Sequence, residues 1–207
     1  MSAATLQEYA ELNPMVVPIT VEQYHRMIQA GILPEGAPIE LLDGFLVRKD
    51  RGRRGDSPMT VGYWHAWVVN RVALRAARVH ELGGLLQIQQ PISAGPDSEP
   101  EPDASIVFGR LDELRGRLPL AVEVSCVIEV AESSLRFDRT TKQRIYANAG
   151  IPQYVIVNLP DRLVEEYTQP VAGSGRYDQA RRIRPGQTVQ LRVGTESLEV
   201  AVAELFP

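Results

Sequence analysis

Three side chains could do chemistry together, and the first draws attention because it is an acid where an apolar residue is expected. Glu129 lies between Ile128 and Val130 in the Val- and Ile-rich run LPLAVEVSCVIEVA, the pattern of a strand buried on both faces of a sheet. An ionised carboxylate there is costly unless it is paired or bound to a cation. An arginine such as Arg144 or Arg71 would serve as the ordinary partner. Glu123 is a weaker case, nearer the start of the run and so nearer solvent. Asp103 follows Pro102 and opens ASIVFG, which places it where a loop enters a second strand. Two carboxylates in such places on neighbouring strands can converge on a hard cation, since Mg²⁺ takes oxygen ligands and keeps several waters. Lys142 shares a helical stripe with Tyr146 and Ala149, at i+4 and i+7, so its ammonium belongs to a partly apolar face. A lysine beside such a cation can orient an attacking water or offset charge growing on a phosphate. Asp138 precedes Lys142 by one helical turn, which equally permits a surface ion pair between them.

These residues need a scaffold, and the patterning supplies one. Thr20-Val21-Glu22-Gln23 has the form of a capping box opening a short helix to about residue 30. IELLDGFLV carries Asp-Gly between apolar runs, the signature of a tight hairpin, and it leads into the basic, Gly-containing stretch RKDRGRRGD. Val61, Trp64, Val68, Val72 and Ala76 recur near helical spacing, predicting one long helix over residues 58–80, stopped at Gly83-Gly84. LLQIQQPI and ASIVFG read as strands separated by the Pro-rich acidic loop AGPDSEPEPD. A helix over 134–149, closed by Gly150 and Pro152, follows the Glu129 strand, and strands are expected at 153–158 and 163–167. Gly-Ser-Gly at 173–175 and Pro-Gly at 185–186 suggest a small β-meander over 171–207. The expectation is one α/β domain over 1–207, with 1–18 as a lead-in, a central mixed sheet, one long helix on each face and small β elements at both ends.

The chain has 207 residues, a net charge of −4 and a single cysteine, Cys126. The negative balance argues against coating nucleic acid by bulk electrostatics, so any phosphate contact must be local. Arg48, Lys49, Arg51, Arg53 and Arg54 are the candidates, because their intervening glycines let a loop follow a backbone. One cysteine excludes an internal disulfide and paired-cysteine zinc sites; in its apolar run it reads as core. No stretch is long and apolar enough for a membrane span and the N-terminus has no signal-peptide pattern, so a cytoplasmic location is expected. Phosphate loops, Gly-x-Ser-x-Gly elbows and dinucleotide fingerprints are absent from the sequence. His65, in a helix beginning YWHAW, reads as a half-buried helix residue before a DNA or water contact, and Trp64 and Trp67 as core or interface before a base-stacking platform.

From residue 19 to 170 the sequence resembles the Uma family of restriction-type endonucleases, within the PD-(D/E)XK nuclease superfamily. The resemblance runs through ITVEQYHRMIQAG, IELLDGFLV, EPEPDASIVFG and VIEVAESSLRFDRTTKQRIYANAGIPQYVIVN. It implies a restriction-endonuclease-like core and metal-site roles for Asp103 of Pro102-Asp103, for Glu129 and for Glu40 before the hairpin. Ala131 stands two residues after Glu129, where the superfamily signature has lysine; the Uma pattern implies that Lys142 supplies the amine instead. Val155-Ile156 replaces a frequent tryptophan. The implied activity is Mg²⁺- or Mn²⁺-dependent cleavage of DNA. The rival expectation is a nuclease-like fold retained as an inactive binding or assembly module, working as a homodimer.

Overall fold

The computed structural model describes residues 15–49, 62–109 and 111–206. Its centre is a six-stranded mixed sheet of order β3-β4-β5-β6-β7-β8, formed by β3 (Gly84–Ile88), β4 (Ala104–Phe108), β5 (Val124–Ala131), β6 (Gln153–Asn158), β7 (Leu163–Val171) and β8 (Arg176–Ile183). β5 and β6 pair in parallel and every other neighbouring pair is antiparallel. Parallel neighbours need a crossover rather than a hairpin, and the segment between them supplies it as three helical pieces: an α turn at Leu135–Phe137, a π turn at Asp138–Lys142 and an α-helix at Gln143–Asn148.

Both faces of the sheet are covered, so β5 is buried at all eight positions and its sequence lacks polar alternation. On one face, Cys126, Ile128 and Val130 of β5 pack with Val68 and Val72 of α2 (Tyr63–Ala73) and with Leu191 and Val200 of a C-terminal hairpin, β9 (Thr188–Val193) and β10 (Glu196–Ala201). On the other, Val127 and Ala131 pack with Tyr146, Ile151, Tyr154 and Ile156 under the crossover. α1 (Val21–Gln29) opens with the anticipated capping box of Thr20 and Gln23, and its Tyr24 hydroxyl donates to Ile39 O at 3.0 Å. Beside the main sheet sits the hairpin β1 (Ile39–Leu42) and β2 (Phe45–Arg48). Its two-residue turn holds Asp43 and Gly44 at φ 51° and 79°, the left-handed pair that a primed turn requires.

Two expectations change. The single helix over 58–80 is broken: α2 ends at Ala73 and α3 (Ala76–Glu81) begins afresh. The Arg75 guanidinium donates to the Arg71 carbonyl at 2.7 Å, taking the acceptor that the Arg75 amide would use in a continuous helix, and that amide turns to Val72 O instead. The C-terminal meander is also divided. β8 joins the central sheet, because β7 runs on to Val171 and offers a long edge, and because Tyr177 is buried beside Tyr154 and donates its hydroxyl to Ile151 O at 2.9 Å. β9 and β10 pair with each other, apart from the central sheet. No helix among the described residues is long and apolar enough to cross a membrane.

Candidate active site

The β4–β5 register pairs Ala104 with Ile128, which brings the residue before β4, Asp103, alongside Glu129. Each strand's backbone then holds the other's carboxylate. The Asp103 amide donates to Glu129 Oε2 at 3.2 Å, and the Val130 amide donates to Asp103 Oδ2 at 2.8 Å. Glu129 alternates with Val127 and Ala131 toward the crossover, where the Tyr146 hydroxyl donates to its Oε1 at 2.7 Å. Lys142 Nζ lies 3.4 Å from the same Oε1 and 2.6 Å from Glu40 Oε2. Glu40 reaches the site from β1, is anchored by the Glu101 amide at 3.0 Å, and is held in place because Glu99 N–H donates to Leu41 O at 2.7 Å. α2 adds His65, whose Nε2 is 3.0 Å from Asp103 Oδ2. The π turn adds Asp138, which accepts from the Ser134 hydroxyl; π turns recur at functional sites.

Glu40, Asp103, Glu129 and Asp138 thus surround one ammonium in a largely buried space. Burial works against the Lys142 ammonium, yet Glu129 and Glu40 outweigh it and hold its pKa above the ordinary value. Asp103 is similar in reverse: burial would raise it, but His65, the Val130 amide and Lys142 keep it below the usual carboxylate range. Glu129 is raised, chiefly by burial and further by its acidic neighbours, with Lys142 opposing. Burial beside Glu129 pushes Asp138 up to about 8. Burial opposes charge on His65 too, but Asp103, Glu129 and Glu132 raise its pKa. Carboxylate oxygens are the hard donors that Mg²⁺ or Mn²⁺ prefers. Among the described residues no three His, Cys, Asp or Glu side chains draw together closely enough to hold a metal by themselves. A cation that keeps several waters needs only one or two carboxylates, so Asp103 and Glu129 fit it as a pair.

The structure therefore brings Asp103, Glu129, Lys142 and Glu40 together. The ordinary readings of two of them fail: Arg144 pairs with Asp43 and Arg71 with the Glu204 backbone and side chain, not with Glu129, and Asp138 and Lys142 are each only 4% exposed rather than a surface pair. Glu123 is held by Arg117 at 2.7 Å, away from the site. Of the basic stretch, Arg48 is exposed at the end of β2 and Lys49 is ion-paired with Glu101; Arg51, Arg53 and Arg54 lie outside the described residues. Trp67 packs against the core beneath Arg71, while Trp64 is half exposed. The His65 contact went unassigned in the sequence, although His65 stands at i−3, i−4 and i−7 from the buried Val68, Val69 and Val72, which marks it as inward-facing. Tyr146 was visible only as a member of the Lys142 stripe.

The fold is thus an α/β sheet with two acids held at adjoining strands and a lysine on the crossover between β5 and β6. The chain belongs to the Uma2 family, described as "Putative restriction endonuclease", whose pattern matches residues 21–203. A crystal structure of a "putative nuclease belonging to DUF820" from Anabaena variabilis ATCC 29413 superposes with a TM-score of 0.66 at 18% identity, covering 91% of this chain and 98% of that one. At that identity the likeness speaks for the fold. No curated protein matches the chain.

Proposed function

We propose that the protein is a metal-dependent endonuclease that hydrolyses phosphodiester bonds in DNA. One observation carries the reading: two acids on neighbouring strands are each held by the other strand's backbone amide, at 3.2 Å and 2.8 Å, and one of them, Glu129, lies 3.4 Å from the buried Lys142 ammonium. The family's description supports DNA as the substrate.

Asp103 and Glu129 would hold the divalent cation, which when bound acidifies a water and neutralises charge on the scissile phosphate. Glu40 fixes the Lys142 ammonium by a 2.6 Å bond and keeps it charged. Lys142 then orients the attacking water and offsets negative charge as the phosphorus becomes five-coordinate, where a preorganised cation in a dry site contributes most. Tyr146 restrains Glu129 through its 2.7 Å hydrogen bond; burial keeps that phenol well above its ordinary pKa, so it stays a donor.

Nicking of supercoiled plasmid with added Mg²⁺ or Mn²⁺ tests this. Wild-type protein is expected to nick, and Asp103→Asn and Glu129→Gln to lose about a hundredfold or more in rate. Undiminished nicking by both variants would assign the activity elsewhere, and preference for RNA over duplex DNA would overturn the substrate. A folded wild type that is inert with either ion would favour the binding-module alternative.

A further inference from the structure

His65 is a buried imidazole that is only half satisfied. Its Nε2 meets Asp103 Oδ2 at 3.0 Å, while its Nδ1 is buried with no hydrogen-bond partner. A buried polar atom without a partner costs stability. On an inward stripe with Val68, Val69 and Val72, an apolar side chain would avoid that cost, so packing does not account for an imidazole here. The contact with Asp103 does. An ionised carboxylate only accepts hydrogen bonds, which makes Nε2 the protonated nitrogen and Nδ1 the orphan. Asp103 Oδ2 thus receives two donors from two different elements, the Val130 amide of β5 and the His65 ring of α2. Two donors on one oxygen fix both the position and the plane of the carboxylate and leave its second oxygen as the one they do not occupy.

We infer that His65 is a positioning residue that presets the Asp103 carboxylate for a divalent cation. The inference rests on the reading of Asp103 as a ligand given above. Groups that orient a ligand from behind are worth about 10- to 100-fold in metal affinity, and the effect is one of binding, separable from turnover. The geometry also explains why α2 is fixed where it is: its buried valines place the ring, and the ring places the acid.

Mn²⁺ binding to the full chain, followed by electron paramagnetic resonance of the free ion, decides the matter, with the thermal midpoint in EDTA reporting the fold. In His65→Gln the side-chain amide nitrogen reaches as far as Nε2 and still donates; in His65→Asn it stops one bond short of Asp103, and His65→Ala has no donor at all. His65→Asn and His65→Ala are expected to bind Mn²⁺ about tenfold or more weakly, and His65→Gln to stay within about threefold of wild type. Wild-type affinity in both His65→Asn and His65→Ala would overturn the inference while leaving the metal site intact. Equal loss in His65→Gln would also overturn it, because the ring itself would then be the ligand. A wild type that binds no Mn²⁺ would instead remove the metal reading of Asp103, and this inference with it.

Discussion

Lys142 and Glu40 are 102 positions apart in the chain and 2.6 Å apart in the fold, each about 5% exposed. An ion pair this buried is stabilising only as a pair. Removing one member strands the other in a low-dielectric interior, at a cost of about 3–5 kcal/mol. Glu40→Gln and Lys142→Met are each expected to lower the unfolding free energy by about 3 kcal/mol in urea titrations. The double variant should recover at least about 1 kcal/mol of the summed loss, since residues in one network couple. Strict additivity would show that the two side chains do not act as a unit.

The elements carrying this pair were readable in the sequence, whereas the pairing was not. β5 announces itself by seven small or branched residues around one acid, and the β1–β2 turn by Asp43-Gly44, because both signals are local. Glu129 was conspicuous for the same reason: its neighbours are apolar. What periodicity does not carry is which distant group answers a buried charge. Glu129 is answered by Tyr146 and Lys142 rather than by arginine, and Lys49 is taken up by Glu101. The break between α2 and α3 depends on a side chain competing for a backbone carbonyl, and the place of β8 on which sheet edge remains open. None of these is a local pattern.

Gly44 links the turn to the site. Its φ is +79°, and an added Cβ would fall 2.3 Å from Pro18 Cβ, while its amide and carbonyl are both engaged, with Asp97 O and Ile19 N–H. Gly44→Ala therefore combines a left-handed backbone with a clash that neither chain segment can relieve by rotating a side chain. A loss of about 2 kcal/mol is expected. Gly36→Ala, at φ +71° in open space, is the comparison for strain alone and should cost about 1 kcal/mol. Because β1 carries Glu40, the Gly44 variant should also nick plasmid more slowly, and the Gly36 variant should not.

Glu165 ties the π turn to β7. It is 2% exposed and accepts from Arg139 Nε at 2.9 Å, Asn158 Nδ2 at 2.8 Å and the Tyr167 hydroxyl at 2.7 Å. Burial would raise its pKa, but Arg139, Tyr167 and Asn158 prevail and hold it below the ordinary 4.5. A depressed acid contributes stability that is fully present above its unfolded pKa and fades as pH falls through the folded one. Wild-type stability should therefore begin to fall near pH ~4.5 and continue downward. Glu165→Gln should be less stable at neutral pH by about 2 kcal/mol and should fall less steeply on acidification. The slope it retains includes that of Glu123, held to about 2 by Arg117 and the Leu120 amide. An acid limb unchanged by the substitution would show that Glu165 is not ionised in the native network.

Arg48 and Lys49 are neighbours in sequence but unequal in what they can offer a phosphate. Arg48 is exposed at the end of β2, whereas Lys49 is mostly buried, 16% exposed, and paired with Glu101, whose own amide holds Glu40. A cation already neutralised by a carboxylate releases little counterion when nucleic acid arrives; a free guanidinium releases about one. With duplex DNA and Ca²⁺ in place of a catalytic ion, fluorescence anisotropy across a NaCl series should show the slope of log affinity against log salt falling by about 1 in Arg48→Ala. Lys49→Ala should leave that slope nearly as in wild type and act through the fold instead, by freeing Glu101 beside the acid it supports. Identical slope changes in the two variants would mean that the Lys49–Glu101 pair opens on binding, and that both side chains face the phosphate backbone.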